Sequence, residues 1–176
     1  EGGVQPRVKP GIAIAIVRDC LAALAALHRH GIVHGDLKPA NVLVNDEGLL
    51  KIVDFGVAAA ASSGDTQLTK TGYVIGSPKY MAPEQILGKK VDETADIYSV
   101  GVIMYEMATG VPPYSRGDHM SVMYQHVQGK AQQCQEINPE IPDDLAAIIA
   151  KAMSVDKSKR YQSMEELTEA LDTVTL

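Results

Sequence analysis

The sequence predicts a mainly helical fold, α+β overall, with one small β-hairpin. Apolar residues recur at helical spacing in residues 11–30 and again in three stretches beyond residue 118. Between them, two short apolar runs, 42–44 and 50–53, flank a turn-forming Asn-Asp-Glu-Gly cluster. The 176 residues are 45% hydrophobic and contain no internal repeat, so we interpret 1–176 as a single domain.

The first helix is predicted from about Gly11 to His30. Alanines separate the larger apolar residues, which recur every three or four positions and are Val17, Leu21, Leu24 and Leu27. Gly31 follows directly and is typical of a C-terminal cap. We therefore expect one buried face and a helix end next to Gly31.

A short extended piece, 32–33, should lead from this helix toward the hairpin. Beyond the hairpin, residues 56–83 are rich in Ala, Ser, Thr, Gly and Lys and show little periodicity. That length is unusual for a plain connection inside a compact domain, because such long loops are usually functional. We therefore expect a loop that is either functional or mobile.

The later helices follow ordinary patterns. Residues 95–108 are apolar on nearly every face, which predicts a helix buried at the centre of the domain. Ser163 and Glu166 have the spacing of a capping box and open the last helix, whose stripe is Met164, Leu167, Leu171 and Val174. Asp143 precedes another apolar stripe, and residues 119–128 form a weaker third helix.

Charge and cysteine content exclude several classes of function. Sixteen basic and 22 acidic side chains give a net charge of −6, which argues against a nonspecific nucleic-acid binder or an electrostatic membrane anchor. Cys20 and Cys134 are too few for a disulfide framework or a zinc site and suit a cytoplasmic location. Charged residues interrupt both long apolar stretches, so no membrane segment is predicted in this chain, although the parent protein could be anchored through other sequence.

One run carries the chemistry: His34-Gly35-Asp36-Leu37-Lys38-Pro39-Ala40-Asn41, followed by Asp54-Phe55-Gly56 after the hairpin. Transfer of a nucleotide's terminal phosphoryl group requires a carboxylate that orients the attacking hydroxyl, ligands for a metal ion and a cation near the phosphates. Two acids, an amide and a lysine of this run supply all three. The hairpin should bring the two metal ligands together.

These motifs resemble those of the protein kinase family, whose catalytic loop reads H-R-D-x-x-x-x-N and whose metal motif reads D-F-G. The lysine two residues after the catalytic aspartate resembles the serine/threonine branch, and the segments 81–85 and 160–161 resemble bacterial members. The resemblance covers nearly the whole chain and implies the helical C-terminal lobe of the kinase fold. It implies a signal-transduction enzyme that uses ATP and Mg²⁺ to phosphorylate Ser/Thr hydroxyls of protein substrates.

Five site residues follow from the resemblance. Asp36 is expected to orient the substrate hydroxyl, and Lys38 to contact the transferring phosphate or Asp36 itself. Asn41 and Asp54 are expected to bind Mg²⁺ together with the ATP phosphates. Leu43 matches the residue under the adenine ring, although from sequence alone it is almost equally well explained as a core leucine. An isolated aspartate at position 36 would be read as a loop cap.

A sixth site residue follows from the same resemblance: Ser77 occupies the position that bonds the catalytic aspartate and lysine, and it is expected to be catalytic. The other matches concern assembly. Asp96 matches the position that bonds the catalytic-loop backbone. Glu84, in Ala82-Pro83-Glu84, should form a buried ion pair with Arg160. His34 and Phe55 match an apolar column that links the two lobes.

Two departures from the family pattern matter. Gly35 stands where the family usually has an arginine that pairs with a phosphate on the activation loop. Activity should therefore depend less on phosphorylation of Thr66, Thr69 or Thr71, which are about equally well explained as solvated loop residues. Residues 1–176 also contain no Gly-rich loop and no strand lysine, so the N-terminal lobe is expected as a missing partner and the fragment alone should be inactive.

A protein of a different class could share this fold. A pseudokinase or regulatory scaffold would bind partners without catalysis. Such a scaffold has no physical need for two metal ligands, so the intact set of Asp36, Lys38, Asn41 and Asp54 favours an enzyme.

Overall fold

A computed structural model describes residues 7–39, 42–44, 50–52, 59–60 and 77–176. In the three short ranges, it describes the backbone. All statements below concern these residues.

The described residues form seven α-helices, four short strands and two 3-10 turns. The helices are α1 Pro10–Arg29, α2 Pro83–Ile86, α3 Thr94–Thr109, α4 His119–Gln128, α5 Cys134–Ile137, α6 Asp143–Ala152 and α7 Met164–Asp172. The strands are β1 Ile32–Val33, β2 Val42–Val44, β3 Leu50–Ile52 and β4 Ala59–Ala60. The 3-10 turns are Pro78–Tyr80 and Lys157–Lys159. The predicted mainly helical fold with a small hairpin is confirmed.

Helix α3 forms the centre of the domain, as its apolar sequence predicts. Most of its residues are buried, and it packs against α1, α5 and α6. A Cβ atom added at Gly101 would lie only 2.9 Å from the Cβ of Ala152 on α6. Glycine at this position therefore permits the close approach of the two helices.

Helix α1 buries one of its faces in the core beside α3. The predicted stripe is confirmed, because Val17, Leu21 and Leu24 are at most 2% exposed and α1 packs against α3 and α7. Among the described helices, α1 is also the one whose length and composition could cross a membrane. Its packed face is that of a core helix in a folded domain.

The hairpin is confirmed. Strands β2 and β3 are antiparallel, with Val42 opposite Ile52 and Val44 opposite Leu50. A second pair was not predicted: β1 is antiparallel to β4, with Val33 opposite Ala59. A two-residue Ala-Ala strand has no alternating pattern, so the segment 56–83 gives no local sign of it.

Helix caps define where α4 and α7 begin. The Asp118 carboxylate accepts a hydrogen bond from the Ser121 amide at 2.9 Å. The Ser163 hydroxyl accepts one from the Glu166 amide at 3.0 Å, as the predicted capping box requires of the serine. Helices α2 and α5 have four residues each, which is too short for a periodic pattern to predict.

Stability should fall in acid because of one buried histidine on α4. Burial lowers the pKa of His126 to about 4, from an ordinary value of 6.5, although hydrogen bonds to the carbonyls of Lys79 and Pro78 favour the charged form. As the pH falls, the unfolded chain binds a proton at this histidine near pH 6.5, whereas the folded chain does so only near pH 4. The free energy of unfolding should therefore decrease between pH 6.5 and 4, by about 3 kcal/mol from this residue.

Denaturant titrations at pH 7, 5.5 and 4 measure this effect. The variant His126→Gln carries no titrating group at this position, so its loss of stability over that range should be smaller by the same amount. Equal losses in the two proteins would contradict the prediction.

Candidate active site

Residues 34–39, the described part of the predicted catalytic loop, follow β1 directly. One core residue anchors them. Leu37 is 2% exposed and belongs to the main hydrophobic core. Its neighbours, Asp36 and Lys38, are only partly buried and flank this anchor. The Asp36 amide donates to Nδ1 of buried His34 at 3.1 Å, which closes a tight turn just before the carboxylate.

Asp96 on α3 holds the backbone of this loop. Its carboxylate is completely buried and accepts the amide of His34 at 2.8 Å and the amide of Gly35 at 2.9 Å. His28, at the end of α1, places Nε2 2.8 Å from the same carboxylate. The predicted role of Asp96 is confirmed, and a buried carboxylate with this many partners is strongly oriented.

Gly35 is held from two sides in a left-handed conformation. Its φ is 79°, a region that costs a residue with a Cβ about 1–2 kcal/mol. While Asp96 accepts its amide, its carbonyl accepts a hydrogen bond from the Gln85 side chain at 2.9 Å. The Gln85 side-chain oxygen accepts the amide of Ala82 at 2.9 Å. Gln85, 2% exposed, thus ties α2 to the residue before Asp36.

Three of the predicted site residues come together. The Asp36 Oδ1 atom accepts the backbone amide of Ser77 at 3.1 Å. The Lys38 ammonium lies 3.9 Å from Asp36 Oδ2. The Asp36 side chain is 13% exposed and the Lys38 side chain 32%, so the pair reaches solvent at one edge. The resemblance predicts contacts of Ser77 with Asp36 and Lys38, and in the structure the Ser77 backbone amide makes the contact with Asp36.

The segment after Ser77 is bound to α3. The Tyr80 hydroxyl donates to the Glu106 carboxylate at 2.5 Å, and the Ser99 hydroxyl donates to the Tyr80 carbonyl at 2.6 Å. Burial and the neighbouring Glu106 carboxylate raise the pKa of Tyr80 above its usual range. The hydroxyl therefore stays protonated and keeps this contact at neutral pH.

The predicted ion pair between Glu84 and Arg160 is also confirmed. Nη1 and Nη2 of Arg160 lie 2.6 and 2.8 Å from the two carboxylate oxygens of Glu84. Both side chains are buried. This bidentate pair fixes α2 against the segment before α7.

Several predicted residues cannot be placed. Asn41, Asp54 and Phe55 lie outside the described residues, as do Thr66, Thr69 and Thr71. Leu43 lies on β2 opposite Lys51. The roles of Asn41, Asp54 and Leu43 therefore stay predictions.

No local sequence pattern marks two supporting residues, His28 and Gln85. Each contacts a partner more than 45 positions away in the chain. Gln85 lies on the four-residue helix α2, which is too short for a periodic pattern to indicate its burial. Its partner could not have been named, since the contact depends on the folded arrangement of α2 and the catalytic loop.

Comparison with known proteins agrees with this geometry. The protein kinase domain model matches residues 5–171. Serine/threonine-protein kinase PknB of Mycolicibacterium smegmatis is 36% identical over 167 residues, which is 95% of this chain and 26% of that protein. A probable serine/threonine-protein kinase of Streptomyces coelicolor is 42% identical over 147 residues, 84% of this chain and 22% of that protein.

A probable serine/threonine-protein kinase of Clostridium perfringens is 39% identical over 163 residues, covering 93% of this chain and 24% of that protein. The chain thus spans about a quarter of the length of these curated relatives. The catalytic-loop geometry, the buried ion pair and a family match across residues 5–171 lead to one conclusion: the chain belongs to the protein kinase family.

Proposed function

We propose that the protein containing this chain transfers the γ-phosphoryl group of ATP to serine or threonine hydroxyls of protein substrates. The observation that carries the proposal is the position of the Asp36 carboxylate, between the Ser77 amide and the Lys38 ammonium. The Ser77 amide orients Asp36, which then accepts a hydrogen bond from the substrate hydroxyl and aligns it for attack. Lys38 offsets negative charge that develops on the transferred group.

The donor set around the hairpin fits a magnesium nucleotide. Amide and carboxylate oxygens, as in Asn41 and Asp54, are the ligands that Mg²⁺ prefers. Because Val42 pairs with Ile52, the start of β2 and the end of β3 lie at the same end of the hairpin. These are the strand ends next to which Asn41 and Asp54 stand in the sequence. When bound, Mg²⁺ would neutralise phosphate charge at this end.

The partners and location follow from the same proposal. A complete ATP cleft needs an N-terminal lobe above Asp36, so phosphate transfer is proposed for the full-length gene product. Cys20 and Cys134 are free and buried, which suits a cytoplasmic location for this domain.

Transfer of labelled phosphate from ATP tests the proposal. The full-length gene product is incubated with Mg²⁺ and a generic basic protein, and phosphoserine and phosphothreonine are identified in the product. Transfer that is lost in an Asp36→Asn variant supports the proposal. A folded, ATP-binding gene product that transfers no phosphate would instead favour a scaffold.

The glycine at position 35 predicts weak dependence on loop phosphorylation. Replacing Thr66, Thr69 and Thr71 together by alanine should change kcat/KM less than about tenfold, or about 1.4 kcal/mol, because the usual arginine partner of a loop phosphate is missing. Kinetics of the phosphatase-treated wild type give the matched comparison. A much larger loss in the triple variant would count against this interpretation of Gly35.

A further inference from the structure

The side chain of His126 joins helix α4 to the 3-10 turn Pro78–Tyr80. This residue is completely buried and lies outside the proposed catalytic group. Its Nε2 atom lies 3.0 Å from the Lys79 carbonyl oxygen, and its Nδ1 atom lies 2.6 Å from the Tyr98 hydroxyl. Both ring nitrogens therefore have partners, one on the turn and one on α3.

These partners define the protonation of the ring. A carbonyl oxygen only accepts hydrogen bonds, so Nε2 carries the proton and donates to Lys79. Nδ1 of the neutral ring then accepts a hydrogen bond from the Tyr98 hydroxyl. Burial lowers the pKa of His126 and raises that of Tyr98, so both side chains are neutral at pH 7.

Aromatic contacts fix the plane of the imidazole. Tyr98 and Tyr114 meet the ring edge-on, with centroid distances of 5.6 and 4.7 Å. The Arg160 guanidinium lies over the Tyr98 ring, 4.9 Å from its centroid. Because these neighbours are themselves buried or ion-paired, His126 is held in one orientation.

The turn that His126 contacts directly follows Ser77, the residue that contacts Asp36. The Ser77 amide donates to Asp36, and the Tyr80 carbonyl accepts from Ser99. Between these two contacts, the Lys79 carbonyl accepts from His126. Each end of the turn is thus tied to the catalytic loop or α3, and its middle peptide is tied to α4.

Building on the proposed function, we propose that His126 is a positioning residue for the protein substrate. By holding the Lys79 carbonyl, it fixes the surface of the turn beside Asp36 on which a substrate segment would lie, while the Tyr98 hydroxyl donates to the other ring nitrogen. Loss of such a buried hydrogen bond is expected to weaken substrate binding about tenfold.

Three substitutions in the full-length gene product test this role. His126→Leu removes both hydrogen bonds, whereas His126→Gln keeps an amide donor that can reach the Lys79 carbonyl. Gln128→Leu changes an exposed residue of the same helix and serves as the control. We expect His126→Leu to raise KM for a protein substrate about tenfold while KM for ATP stays the same. The Gln variant and the control should remain near the wild type.

Hydrogen exchange supplies a readout that needs no activity. The amides of Tyr80 and Met81 close the turn on the carbonyls of Ser77 and Pro78. They should exchange faster in His126→Leu than in His126→Gln. An unchanged substrate KM, or parallel rises of both KM values, would overturn the inference.

The two proposals fail in different ways. If the wild type phosphorylates no protein, the proposed function fails, and the exchange rates still decide whether His126 holds the turn. Equal exchange in the Leu variant and the wild type would overturn the inference. Faster exchange in the Leu variant alone would support the contact between His126 and the turn, on which the inference depends.

Discussion

Replacing Arg160 by alanine is expected to lower the free energy of unfolding by about 3–5 kcal/mol. Arg160 is 1% exposed and makes a bidentate contact with Glu84, which is 6% exposed. Alanine would leave the Glu84 carboxylate buried without its charge partner. An uncompensated buried charge is among the largest single costs in a folded protein.

The loss extends beyond the ion pair. Arg160 also donates to three backbone carbonyls, those of Thr94, Ser154 and Val155, at 2.7 to 3.1 Å. Thr94 is the first residue of α3, so the guanidinium connects α2, α3 and the segment before α7. A lysine cannot make these contacts at once, and Arg160→Lys should recover only part of the lost stability.

Denaturant titration measures both variants. Arg18, whose side chain is 51% exposed and pairs with Asp172 on the surface, offers a matched control. Arg18→Ala should cost at most about 1 kcal/mol, since exposed ion pairs contribute little. An Arg160→Ala protein as stable as the Arg18→Ala protein would contradict the structural role given to the buried pair.

The two long helices could be predicted for different reasons. Helix α1 has a periodic apolar stripe, and α3 is apolar on nearly every face over a length typical of a buried helix. By contrast, strands β1 and β4 have only two residues each. Such short elements form because tertiary contacts hold them, and local sequence carries little information about them.

The site shows the same division. Spacing alone brought Asp36 and Lys38 into one group, and the resemblance added Ser77, Glu84 and Arg160. The contacts of His28 with Asp96 and of Gln85 with Gly35 could not be predicted, because each joins distant segments. His126 is different: it lies three and four residues after Met123 and Val122, so its burial could have been predicted from the α4 stripe.

Replacing Asp36 by asparagine is expected to lower kcat for protein phosphorylation by about 10²–10⁴-fold, the usual contribution of a general base. The amide oxygen of asparagine can still accept the Ser77 amide, so the loop should keep its structure. What is lost is the negative charge that faces Lys38 and the substrate hydroxyl. We therefore expect the loss in kcat, with KM for ATP nearly unchanged.

Steady-state kinetics of the full-length gene product measure this effect, with Asp172→Asn as the matched control. Asp172 is a half-exposed carboxylate on α7, and the same chemical change there should leave kcat unaltered. A melting temperature close to that of the wild type would show that Asp36→Asn acts on the reaction and not on folding. If kcat of Asp36→Asn stayed within about tenfold of the wild type, Asp36 would not orient the hydroxyl. Asp36 would then be a loop residue whose contacts with Ser77 and Lys38 serve structure alone.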